Sequence, residues 1–141
     1  QSLKKRIYSL TPDSKAMWGV MNAAQMLKHC SAPYRQCYDP KFPKANLILR
    51  WMLKLFFKKL LIGDKPYTKN MATSPTFKMH HQNIDFHDAQ KELISWIDRC
   101  YNDGKTFFTG KSHHALGPLS ADDWSKMFYK HLDWHLEQFG V

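Results

Sequence analysis

The chain has 141 residues, 43% hydrophobic and 14% aromatic, with five Trp. That length suits one domain with a real core, spanning 1–141, and that apolar content excludes a disordered chain. The net charge of +9 invites a nucleic-acid partner. However, the basic residues are spread along the chain, with only a mild excess from Lys41 to Lys69, and no RGG, zinc-finger or RNP-like pattern accompanies them. A solvated basic face is the expectation, and nucleic acid is not an expected partner.

The longest apolar run, Leu47 to Ile62, is interrupted by Arg50, Lys54, Lys58 and Lys59, so no membrane partner is expected. The start, at Gln1, carries no pattern of a charged segment followed by an apolar one, as a secretory leader would. Cys30, Cys37 and Cys100 form neither a CxxC pair nor an even framework. They read as reduced thiols of a cytoplasmic protein, with Cys37 in a loop and inert.

In chain order, four amphipathic helices are expected. The first runs from Ser14 to Cys30, capped by Asp13 or Ser14, with Met17, Val20, Ala24 and Leu27 as its apolar stripe and Pro33 ending any continuation. The second runs from Ala45 to Ile62 and stops at Gly63, with a narrow polar stripe of Arg50, Lys54 and Lys58. Its Leu47, Leu49, Trp51, Met52, Leu53, Phe56, Phe57, Leu60 and Leu61 cover more of the circumference than one bundle core requires. The third starts at an Asp85 cap, repeats Phe86, Ala89, Leu93, Ile97 and Cys100 at helical period, and stops near Gly104. The fourth has a Ser120 cap, with Asp122 and Asp123 in the first turn where the helix dipole favours them, and runs to Phe139. Strand signals are weak. The expected class is all-α, an antiparallel four-helix bundle, with a long connection from Gly63 to Ile84 of the kind that is often functional.

The fourth helix contains KHLDWHLEQFG (130–140). At 100° per residue, Trp124, Phe128, His131, Leu132, His135, Leu136 and Phe139 share one arc, and Lys126, Lys130, Asp133 and Glu137 the opposite one. Two histidines therefore sit on the core face. A buried imidazole costs about 1–3 kcal/mol for each polar atom left without a partner. Two of them one turn apart can satisfy each other through a shared ion. The zincin pattern is absent, since Leu132 follows the first histidine where glutamate would be needed. A third ligand is required, and His29, His80, His81, His87, His113 and His114 are the candidates. His29 shares an uncharged polar stripe with Trp18, Asn22 and Gln25, which either lines a cavity or forms a partly exposed face, whereas a turn role is the default for His113 and His114.

WGVMNAAQMLKH (18–29) and HHALGPLSADDWSKMFYKHLDWHLEQFG (113–140) resemble the DinB/YfiT-like superfamily, and within it a branch with a WGxM…QMLxH first helix and a YKHLxHHLxQFG ending. Both ends of the chain carry the resemblance; residues 40 to 110 match in outline. It implies an up-down-down-up four-helix bundle and a divalent metal, Zn or Ni, on three histidines: His29, His131 and His135. Where the branch has a second adjacent histidine, this chain has Trp134. Where it has HP before FG, this chain has His113 and His114 and then Leu116 and Gly117. The superfamily also contains members that have lost the metal.

Such a site implies a hydrolase or a thiol-dependent transferase acting on a small molecule, with a low-molecular-weight thiol as a partner. That step rests on analogy. No second catalytic group declares itself: Asp85, His87 and Tyr129 are the candidates for acid–base work, and Asn22 and Gln25 for orienting a ligand. The competing expectation is a non-catalytic homodimer, with or without the metal, acting through the surplus apolar surface of the second helix, whose other use would be a deeper core under the long connection.

Overall fold

In the computed structural model, residues 2–41, 46–70 and 83–141 are described, apart from the side chains at 49 and 50. Among these residues the chain forms six helices, α1 (Leu3–Ser9), α2 (Ala23–Tyr38), α3 (Leu47–Phe56), α4 (Lys58–Ile62), α5 (Phe86–Phe108) and α6 (Ala121–Gln138). A two-stranded hairpin, β1 (Ser112–His113) with β2 (Gly117–Pro118), lies between α5 and α6. The class is mostly helical, as the apolar periodicities require.

Two helices start where the local chemistry puts them. The Asp85 carboxylate accepts the Asp88 N–H at 2.9 Å and opens α5. Ser120 opens α6 with a reciprocal box: its hydroxyl accepts the Asp123 N–H at 3.0 Å, and the Asp123 carboxylate accepts the Ser120 N–H at 3.3 Å. Gly104 does not end α5. It takes a φ of 65° inside the helix, a value glycine adopts without steric cost, and the helix resumes to the buried Phe108. The expected stop is thus a kink.

The first expected helix is displaced along the chain. Asn22 accepts the Gln25 N–H at 2.9 Å, and the Gln25 side chain accepts the Asn22 N–H at 3.0 Å. This capping box starts α2 after Asn22, and Gly19, at a φ of 86°, breaks helical geometry just upstream. Met17 and Val20 are consequently 64% and 79% exposed, and of the expected stripe only Ala24 and Leu27 are buried. At the other end α2 passes through Pro33 to Tyr38. Proline removes the one N–H aimed at the carbonyl four residues back, and the burial of Tyr34 and Cys37 beyond it favours continuing the helix. Cys37 therefore lies in a helix and not in a loop.

Helix α1 had no counterpart in the expected set, although Leu3, Ile7 and Leu10 have helical spacing. Ile7 is fully buried. Around it, Lys4 pairs with Asp98 of α5 at 2.7 Å, and Arg6 pairs with Asp133 of α6 and donates to the Val141 carbonyl at 2.7 Å. The second expected helix forms as α3 and α4, separated at Phe57, and ends at Gly63 as its sequence indicates. Its expected start, Ala45, lies outside the described residues.

Helix α2 packs against α5 and α6, α4 packs against α6, and α1 touches both α5 and α6. Met26, Leu27 and Tyr34 of α2, Phe86 and Leu93 of α5, and Trp124, Phe128, Leu132 and Leu136 of α6 form the core with Ile7. Tyr34 stacks on Phe128 with ring centroids 4.3 Å apart. Among the described residues no helix is long and apolar enough to cross a membrane.

Candidate metal centre

The arc expected for α6 is the one that forms. Trp124, Phe128, Leu132, Leu136 and Phe139 are buried, and His131 and His135 lie half-buried on the same face. Lys126 and Glu137 are exposed on the other. Across from the two histidines, α2 presents His29, which is 6% exposed.

The three imidazoles converge. His29 Nε2 lies 3.1 Å from His131 Nε2. The ring centroids are 5.0 Å apart for His29 and His131, 4.8 Å for His29 and His135, and 4.8 Å for His131 and His135. One nitrogen from each ring falls within 4.8 Å of the other two, and among the described residues this is the one group of three or more such side chains placed to hold a metal ion. Zinc–imidazole bonds of about 2.0–2.1 Å in a tetrahedron separate two nitrogens by roughly 3.3 Å. The His29–His131 pair is close to that separation, and the three donors together lie near enough to hold a divalent cation.

Burial fixes the protonation state of the α6 pair. It pushes the His131 imidazole well below its usual range, and neighbouring His135 and His29 push it further in the same direction. His135 is lowered to about 4, first by burial and then by His29, against an opposing contact from Gln138. Both rings are neutral at neutral pH, which is the ligand form of imidazole.

Gln138 is a residue that the sequence did not single out. It is 4% exposed, and its Oε1 accepts from His135 Nδ1 at 2.8 Å. Its Nε2 donates to the Trp18 carbonyl at 2.5 Å, and its own carbonyl accepts the Met17 N–H at 2.8 Å. The signal available in the sequence was its place three residues after His135, one turn on along the same face. Trp134, which replaces the branch's second histidine, is half-buried and packs on Trp18 at 5.4 Å and on Tyr67 at 6.1 Å.

The other candidates lie elsewhere. Asn22 and Gln25 are engaged in the α2 capping box. Asp85 caps α5, His87 is exposed beside Phe86, and Tyr129 is 56% exposed. His113 takes the turn role: its Nδ1 accepts the N–H groups of Ala115 and Leu116, both at 3.1 Å. His114 accepts from Gln36 at 2.7 Å. His80 and His81 lie outside the described residues, with most of the connection from Gly63 to Ile84. Burial raises all three thiols, Cys37 to about 12 and Cys100 to about 11, so they are protonated and unreactive at neutral pH.

No protein-family model, curated protein or solved structure matches the chain. The geometry of the histidine cluster therefore carries the functional argument.

Proposed function

We propose that His29, His131 and His135 bind a divalent metal, zinc or nickel, and that the protein is a metal-dependent hydrolase or thiol-dependent transferase acting on a small molecule. The observation that carries this reading is the convergence of three imidazole nitrogens from α2 and α6 within 4.8 Å. We also propose that α2, the α3–α4 pair, α5 and α6 are the four members of a DinB/YfiT-like bundle, the arrangement that the resemblance at both ends of the chain implies.

Three imidazole ligands would leave a bound divalent cation an open position, at which water would become more acidic or a thiolate could be held. The rest is supplied by the chain. The α6 core face fixes the His131–His135 pair through Leu132 and Leu136, each at most 1% exposed. The histidine cluster includes no carboxylate or thiol, so its ligands add no negative charge, and the site favours anionic or strongly polar ligand atoms. Metal content by mass spectrometry on protein without a polyhistidine tag, beside His135→Ala, tests the metal. An esterase, amidase and thiol-transferase panel with added Zn²⁺, Ni²⁺ or Mn²⁺ tests the activity. A stoichiometric metal lost in the variant and turnover dependent on it are expected; a metal-free protein after soaking removes the proposal.

A second reading is favoured by one observation. Leu47, Ile48, Trp51, Met52, Leu55 and Phe56 of α3, with Phe57, are 45–79% exposed. Together they present a broad apolar surface of the kind that one partner contributes to a stable interface. A monomer seldom leaves such a patch open. A second copy of the chain is the proposed occupant, and light scattering tests it.

A further inference from the structure

Gln138 links the turn before α2 to a candidate metal ligand, and its amide has only one chemically consistent orientation. The atom facing the Trp18 carbonyl must be a donor, because a carbonyl oxygen can only accept. That atom is Nε2, at 2.5 Å. Oε1 is then left to face His135 Nδ1 at 2.8 Å, and an amide oxygen can only accept. His135 must therefore carry its proton on Nδ1. Its Nε2 is then the unprotonated nitrogen, with a lone pair available for an ion.

The turn is shaped to hold this amide. Gly19 has a φ of 86°, and a Cβ at that position would stand 2.5 Å from Gln138 Nε2. Any other residue would both strain the backbone and displace the amide. The Met17 N–H, donating to the Gln138 carbonyl at 2.8 Å, holds the same turn against the end of α6. Gln138 is itself 4% exposed, so water does not compete freely for either contact.

We infer that Gln138 is a positioning residue which, clasped by the Trp18 carbonyl over Gly19, locks His135 in the Nδ1–H tautomer and so aims Nε2 at the metal position between His29 and His131. The inference rests on the metal reading for its purpose but not for its geometry. Metal-ligating histidines commonly donate their other N–H to such a partner, and losing that partner costs roughly 10–100-fold in metal affinity.

The test is long-range ¹H–¹⁵N NMR on the metal-free full chain with labelled histidine, which reads the tautomer directly, together with Zn²⁺ affinity by chelator competition. The wild type is expected to show His135 protonated on Nδ1. Gln138→Ala should lose that preference and bind Zn²⁺ about 10–100-fold more weakly. Gln138→Glu loses the donor to the Trp18 carbonyl but keeps an acceptor for Nδ1–H, and so should keep the tautomer, an outcome that a merely structural role would not separate from Gln138→Ala. Gly19→Ala leaves every ligand in place and should still weaken Zn²⁺ binding. His135 protonated on Nε2 in the wild type, or an unchanged tautomer in Gln138→Ala, would overturn the inference. A wild type that binds no Zn²⁺ but shows the expected tautomers would sink the metal reading and leave the Gln138 lock standing.

Discussion

His29 and His131 stand 102 residues apart in the chain and 3.1 Å apart at their Nε2 atoms. Two lone pairs at that distance repel unless a proton or a cation lies between them. Removing either ring should therefore remove the reason for the arrangement. His29→Ala is expected to lower Zn²⁺ affinity by more than about 100-fold, while Lys126→Ala, on the exposed arc of α6, leaves it unchanged. Isothermal titration of both variants checks this, and equal affinities would count against a three-histidine centre.

The hairpin histidine gives a pH dependence with a definite sign. His113 is held at about 3, against an ordinary 6.5, by burial and then by His114. As the pH falls below about 6.5 the unfolded chain takes up this proton first, so stability is present above that value and is lost toward pH 3. The slope from this group is about 1.4 kcal/mol per pH unit. Urea midpoints should fall between about pH 7 and about pH 4.5, and less steeply in His113→Asn, whose side-chain oxygen can still accept from Ala115 and Leu116. Parallel curves for the two proteins would remove His113 from the account.

Helix starts offer a stability test away from the site. Ser120→Ala and Asn22→Ala each delete a side chain that accepts a first-turn N–H. Each should cost about 1 kcal/mol, within a range of 0.5–2. Ser2→Ala should cost less, because its contact to the Lys5 N–H is long, at 3.4 Å, and exposed. Chemical denaturation of the three variants ranks them.

The exposed face of α3 predicts self-association. Trp51→Glu, at a side chain 65% exposed, should disperse a dimer with little effect on the helical signal. Light scattering that finds the wild type monomeric at tens of micromolar, roughly the working range of a modest dimer, would exclude the second copy.

Some of this was legible in the residues alone. The apolar arc of α6 follows from the 3.6-residue period, which fixes the relative direction of side chains on one helix whatever packs against it. Hence the His131–His135 pair could be placed on the core face, and the Asp85 and Ser120 caps could be found, because a cap is chemistry within four residues. The start of α2 was also local, but the Asn22–Gln25 box competed with an apolar repeat through Met17 and Val20, and the box prevailed over burial that never forms. In the sequence Pro33 and Gly104 read as stops. Their local cost is a few kcal/mol at most, and burial of Tyr34, Cys37 and Phe108 beyond them favours continuing the helix.

Sequence by itself determined the helical class, the face on which two histidines stand, and the residue types able to hold a cation. The resemblance at both ends of the chain already implied His29 as the third histidine; only the tertiary structure brings it to the pair and sets Gln138 against His135. Periodicity specifies directions within one helix and not the register between two. The packing of α2 against α6 brings His29 within 3.1 Å of His131, and the turn at Gly19 brings Gln138 into contact with the Trp18 carbonyl.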